Sequence, residues 1–197
     1  MKNTNIKWMV KVSMLGAVAM VLMLLEFPLP FIAPPFYEFD FSEVPVLIGV
    51  FALGPLAGIV IEFIKVMLNL ILNGTITAGV GEFANFLVGM SFALPAGIIY
   101  KKCKDKKHAL IGLLVGSVCM VILGYFVNLY ILIPTYGRAL GMPIDAFVKM
   151  GSSIYPLVDS LWKMVLLCVV PFNAIKAIAA SIITMLIYKH ISPILKG

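Results

Sequence analysis

The chain has 197 residues, of which 62% are hydrophobic and only 12% are charged, and its mean hydropathy is +1.08. Soluble domains run nearer half apolar and a quarter charged, so this composition excludes an ordinary soluble enzyme, a disordered tail and a nucleic-acid-binding domain. The net charge of +6 does not point to DNA. The basic residues fall in short clusters between apolar runs, the pattern of topology signals in a multi-pass membrane protein.

In chain order, Lys2, Lys7 and Lys11 precede an apolar run over 8–26. After the run comes Glu26-Phe27-Pro28-Leu29-Pro30, without a convincing small-x-small cleavage site, so the run is expected to stay as a first helix. The next segment, 27–41, holds four prolines and six aromatics, with Glu38 and Asp40 interleaved. An interfacial aromatic belt needs rings at this level. It does not need a stiff loop carrying carboxylates, which fits a lid over an outward-facing pocket. The lid candidates are Tyr37, Glu38, Phe39 and Asp40.

The apolar run 44–72 decides the topology. Read as one crossing, it puts the cluster Lys101-Lys102-Cys103-Lys104-Asp105-Lys106-Lys107 outside, against the positive-inside rule. Gly54-Pro55 offers a break, because proline lacks an N–H and disfavours helix in the residue before it. A helix over 42–53 rises only about 18 Å, so it is short or recessed. The expected fold is one all-α membrane domain over 1–197. Its six transmembrane helices lie near 8–26, 42–53, 55–72, 80–102, 108–134 and 156–190, with helix 2 short and both termini cytoplasmic. Pro171 is placed to kink or divide the last helix.

Polar groups inside the spans are the functional candidates. Glu62 and Lys65 share one face as an internal ion pair, or with the lysine snorkelling. The loop 73–81 supplies small and hydroxyl residues, Thr75 among them, for a pocket rim. Glu82 suits a helix N-terminus, and Asn85, one turn in, reads as a pocket-facing amide. Asn128 lies in Gly124-Tyr125-Phe126-Val127-Asn128-Leu129-Tyr130, near the outer surface. Asp159 and Lys163 read as a surface salt bridge. Asn173 and Lys176 share a face just after Pro171, a combination that favours a binding site. Aromatic rings, amides and few charges suit a flat, mostly uncharged heteroaromatic ligand with polar edges.

Cys103, Cys119 and Cys168 form no Cys-x-x-Cys pair, and His108 and His190 sit at segment ends, so no metal site is expected. There is no Gly-x-x-x-x-Gly-Lys-Ser/Thr, Gly-x-Ser-x-Gly or His-Glu-x-x-His motif. Energy for any uptake therefore falls to a partner. An enzyme acting on lipid would have only Glu82, Asp159 and Lys163 as acid or base groups, without a nucleophile–base pairing.

Five stretches together resemble the riboflavin-specific S components of energy-coupling-factor (ECF) transporters. They are Glu38-Phe39-Asp40-Phe41-Ser42-Glu43-Val44-Pro45, Gly54-Pro55-Leu56-Ala57-Gly58, Gly81-Glu82-Phe83-Ala84-Asn85-Phe86-Leu87-Val88-Gly89, Asn128-Leu129-Tyr130-Ile131-Leu132-Ile133-Pro134 and Pro171-Phe172-Asn173-Ala174-Ile175-Lys176. The resemblance covers nearly the whole chain. It implies a non-enzymatic subunit of the cell membrane that captures riboflavin outside and needs no cofactor. Its implied partners are a transmembrane coupling subunit and two cytoplasmic ATPases. It also implies that Asn128, Asn173 and Lys176 hold polar edges of the ligand, with Tyr130 in the matching stretch. In this family an Ala-x-x-x-Ala surface on helix 1 docks on the coupling subunit. The nearest match here is Ser13-Met14-Leu15-Gly16-Ala17, with Ser13, Gly16 and Ala17 as the small residues. Another vitamin, such as folate, pantothenate or thiamine, remains the alternative ligand.

Overall fold

A computed structural model describes the backbone of residues 2–196 and the side chains of residues 5–190. The side chain of Lys2, counted above among the basic residues ahead of the first helix, lies outside the described residues. Helix α1 spans Lys2–Leu24, α2 Glu43–Leu53, α3 Pro55–Asn73, α4 Val80–Cys103 and α5 Lys106–Val127. Short helices α6 (Ile133–Leu140), α7 (Ile144–Ser152) and α8 (Leu161–Met164) follow, and α9 runs over Val170–Lys196. Among the described residues five helices are long and apolar enough to cross a membrane, and Glu43–Leu53 is a shorter apolar one.

The expected break in the second apolar run is present. Gly54 adopts φ +101°, a value glycine reaches without a Cβ penalty, and Pro55 begins α3. Proline suits that position because a first-turn N–H has no helical partner. Farther on, Asp105 caps α5 by accepting the His108 N–H at 2.7 Å.

The second half departs from the sequence expectation. The fifth span does not stop near 134 but continues from Lys106 to Leu140. The last begins at Leu161 rather than near 156, and the stretch expected to be loop contains α7, which buries Phe147. Both long spans contain one wide turn of π-helix, at Asn128–Leu132 and Val165–Val169. In each, the residue just before a proline bonds five residues back. Ile133 N–H reaches Asn128 O ahead of Pro134, and Val170 N–H reaches Val165 O ahead of Pro171. A proline ring clashes with the carbonyl four residues earlier, and widening the preceding turn relieves that clash. Pro171 therefore marks a π turn in a continuous span instead of dividing it.

The segment between α1 and α2 is not wholly irregular. Strands β1 (Phe27–Pro28) and β2 (Glu38–Phe39) pair antiparallel, Phe27 opposite Phe39 and Pro28 opposite Glu38. The fold is thus helical apart from this hairpin. Two of its aromatics turn inward, Tyr37 and Phe39, buried with Phe147, Met164 and Phe172, whereas Phe27 and Phe31 are exposed. A second apolar cluster, around Leu47, Val50, Ile61, Phe92 and Tyr100, fills the other part of the bundle. Outward faces carry Met14, Ile71, Leu114 and Leu186, as a lipid-facing surface does.

Helices α4 and α5 meet through glycine. A Cβ at Gly116 would lie 2.3 Å from the Phe92 carbonyl oxygen, and one at Gly112 would lie 2.7 Å from that of Ala96. Both obstacles are backbone, so neither yields by a rotamer change. Small residues are the usual means of close approach where lipid supplies no hydrophobic drive. Gly116→Ala is expected to separate these helices and to cost about 1–3 kcal/mol, as overpacking typically does. A lowered Tm in detergent checks this.

Candidate ligand-binding cavity

A cavity of about 360 Å³ opens between the hairpin loop, the 73–81 loop and the bundle. That size is ordinary for a small-molecule site. Of the expected residues, Tyr37, Glu38, Asp40, Thr75, Asn85, Asn128, Asn173 and Lys176 all line it. Two expected residues do not. Phe39 is buried behind the wall, edge-on to Phe172 at 6.3 Å. Tyr130 is 69% exposed and stacks on Phe126 on the outside of the bundle. Residues two apart on a helix do not share a face, so with Asn128 turned into the cavity Tyr130 falls on the outer side.

Two contacts tie the loop to the far helices. Tyr37 Oη donates to Asn128 Oδ1 at 2.7 Å, and Asn128 Nδ2 donates to Gly124 O at 2.7 Å. The buried Tyr37 hydroxyl has its pKa pushed well above the ordinary value, by burial first and then by Cys168 and Tyr136, so it stays a donor. Lys176 Nζ meets Asp40 Oδ2 at 2.6 Å, and the other oxygen accepts the Ser42 N–H at 2.7 Å. Burial raises the Asp40 pKa, but Lys176, Lys65 and the Ser42 bond outweigh burial and hold it below the usual carboxylate range. Asn173 approaches α5 because Gly124 lacks a side chain: a Cβ there would lie 2.4 Å from Asn173 Nδ2.

Behind the cavity lies a charged cluster. Lys65 Nζ is 2.7 Å from Glu62 Oε1 and 2.8 Å from Glu43 Oε1, and all three side chains are at most 3% exposed. The pairing of Glu62 with Lys65 is the expected internal ion pair, and the lysine does not snorkel. Asp159 and Lys163 form the expected exposed surface pair. The Thr75 hydroxyl donates to Glu82 at 3.0 Å and accepts the Gly79 N–H at 3.0 Å, which organises the rim. Ser13 and Ala17 are exposed on α1, whereas Gly16 faces α3, where a Cβ would lie 2.6 Å from Ile64.

Sequence reading missed Glu26, Glu43 and Tyr136 as lining residues. Glu43 carried a signal, since it continues the acidic series of Glu38 and Asp40. Glu26 sits beyond the end of α1, where only the hairpin brings it beside Glu38. Burial, the Glu38 charge, a hydrogen bond with Glu38 and the Asp40 charge raise its pKa to about 7, partly opposed by Lys176.

The raised pKa means that the folded state binds this proton more tightly than the unfolded chain. Stability from this group is therefore present at low pH and is lost as pH rises from the ordinary 4.5 through about 7. Across that window Glu26→Gln is expected to flatten the fall in Tm with pH, in detergent scans beside the parent.

The comparisons with known proteins agree on one family. The model for "ECF transporter, substrate-specific component" matches residues 7–188. A Staphylococcus aureus protein named riboflavin transporter RibU is 36% identical over 190 residues, 96% of this chain and 93% of the relative. A Bacillus subtilis protein named riboflavin transporter FmnP is 37% identical over 191 residues, 96% and 94% of the two chains. A solved S component of a bacterial ECF transporter superposes with a TM-score of 0.75 at 35% identity, covering 98% of this chain and 99% of that one.

Proposed function

This chain belongs to the family of ECF transporter substrate-specific components, and we propose that it captures riboflavin at the outer face of the plasma membrane for an ATP-driven importer. It is a multi-pass transport subunit, not an enzyme. The relatives named riboflavin transporters span nearly its whole length. The observation that carries the ligand reading is the charge state of the cavity. Lys176 is the one lysine among the described lining residues, and Asp40 already pairs with it. Glu38, Glu43 and Glu82 add carboxyl groups, and Glu26 one that is only partly ionised near pH 7. An anionic vitamin such as folate or pantothenate would meet like charge, costly where water is scarce. Riboflavin has a neutral flat ring with donor and acceptor edges and an uncharged polyol chain.

The roles follow from the geometry. Tyr37 and Asp40 hold the hairpin loop over the cavity through Asn128 and Lys176. A ligand that bonds Asn128 or Lys176 competes for those contacts, so binding and loop position are coupled. Thr75, Asn85 and Glu38 supply rim contacts. Ser13 and Ala17 offer a small exposed patch on α1 for the coupling subunit, where a smooth surface permits close helix approach. Cytoplasmic ATPases supply the energy through that subunit.

The same reading makes α2 a short sixth transmembrane element and puts both termini in the cytoplasm. Helix α4 runs from the cavity rim at Val80 to the lysine cluster at Cys103, about 36 Å at 1.5 Å per residue. The cluster therefore sits at the end of the bundle opposite the cavity, which suits the positive-inside rule. Cys103 within it is exposed. A membrane-impermeant maleimide is expected to label Cys103 in inside-out vesicles and not in intact cells. Labelling from outside would reverse the orientation.

Purified protein is expected to quench riboflavin fluorescence stoichiometrically. Asn128→Ala and Lys176→Ala should each weaken that binding by about 1–3 kcal/mol, the usual cost of removing one partner of a buried polar contact. Wild-type affinity in both variants would move the site elsewhere.

A further inference from the structure

Glu43 does more than balance Lys65. It lies within the cavity wall and is 2% exposed. Its Oε1 is held 2.8 Å from Lys65 Nζ, but its Oε2 has no hydrogen-bond partner among the described residues. Glu62 occupies the other side of the same ammonium. The site is built around these oxygens: a Cβ at Gly89 would lie 2.9 Å from Glu43 Oε1 and 2.4 Å from Glu62 Oε1. Any other residue at 89 would push the carboxylates out of place.

A buried acceptor without a donor is costly, and a carboxylate oxygen more so than an amide. The cluster of Glu43, Glu62 and Lys65 sets two carboxyl groups against one ammonium, and Glu62 Oε2 likewise has no hydrogen-bond partner among the described residues. Glu43 itself is one of the residues that line the cavity. A donor N–H arriving with the ligand would satisfy its free oxygen.

We infer that Glu43, anchored by Lys65 and Glu62, is a ligand-binding residue whose free oxygen accepts the ring imide N–H of the flavin. The inference rests on the riboflavin reading above. The imide N–H is the one ring N–H of an oxidised flavin, and it lies between two carbonyls. Asn173 Nδ2, also buried and unpartnered, lines the same cavity. It supplies a donor for a carbonyl of that edge. The two residues border neighbouring positions of α4: Gly89 clears Glu43, and Val88 lies 3.9 Å from the position where a Gly124 Cβ would meet Asn173. An acceptor and a donor lining one cavity suit the imide pattern of N–H beside C=O.

The test is a cycle of riboflavin and 3-methylriboflavin against the parent protein and Glu43→Gln, read by fluorescence quenching. In the variant, the Lys65 ammonium draws the amide oxygen to itself, which turns the amide NH₂ toward the cavity as a second donor. The parent should bind riboflavin about tenfold or more tightly than 3-methylriboflavin, the scale of one bond to a charged group. Glu43→Gln should weaken riboflavin by a similar factor and bring the two ligands near parity. Any purely steric effect of the methyl group would persist in the variant, because Gln and Glu are the same size. Equal binding of both ligands by the parent, or an undiminished ratio in the variant, would overturn the inference while leaving the riboflavin reading intact. A parent that does not bind riboflavin would overturn that reading, and the inference with it. Should Glu43→Gln fail to fold, Glu43→Asp carries the same test. It keeps the charge on Lys65 and withdraws the oxygen by one methylene, so the ratio should shrink.

Discussion

The arrangement depends on one constraint: charges placed at membrane depth must be answered by other charges or hydrogen bonds. Lys65 is fully buried, and its ammonium is met by Glu62 from its own helix and Glu43 from the next. Lys176 is met by Asp40 across 136 residues of chain. Such pairs are weak evidence of stability, because desolvation cancels much of the attraction. Their value lies in position. Losing one partner leaves a bare charge, so the pair fixes where α2, α3, α9 and the hairpin loop must stand.

That fixing is what makes a cavity of the loop. A proline-rich segment of this length could lie anywhere on an apolar surface. Here the two-residue pairing of Phe27–Pro28 with Glu38–Phe39 closes it into a hairpin. The aromatic cluster with Phe147 and Phe172 then draws it inward. Tyr37 and Asp40 finish the placement through single polar contacts. Apolar burial supplies the bulk of the attraction, and the polar contacts select one position out of many. Because they use the amide and ammonium groups that a ligand would also want, the loop is held by contacts that a ligand can exchange.

Much of this was legible in the sequence where local chemistry decides. Gly54-Pro55 announces a break, because one residue tolerates positive φ and the next cannot continue a helix inward. Glu62 and Lys65, three apart in an apolar run, announce a shared face. Asn128, Asn173 and Lys176 stand out because polar groups in lipid-spanning stretches are costly. What stayed hidden depends on how distant segments meet. Glu26 is an unremarkable residue at a helix end until the hairpin sets it beside Glu38. The role of Gly124 is invisible until Asn173, nearly fifty residues later, is placed against it.

The two π turns show why prolines mislead a linear reading. Pro134 and Pro171 would each be taken as helix ends on local grounds. In the fold, each stands directly after a turn that bonds five residues back, so the clash with the earlier carbonyl disappears and the span runs on. A wide turn also shifts the angular register by the equivalent of about one residue. The first turn begins at Asn128, and the second ends four residues before Asn173. The shift therefore falls next to the amides that enter the cavity. A register change placed there sets how the residues after the turn face relative to those before it. The prolines that interrupt the α-helical pattern thus stand directly behind the turns that set how the two parts of each span face one another.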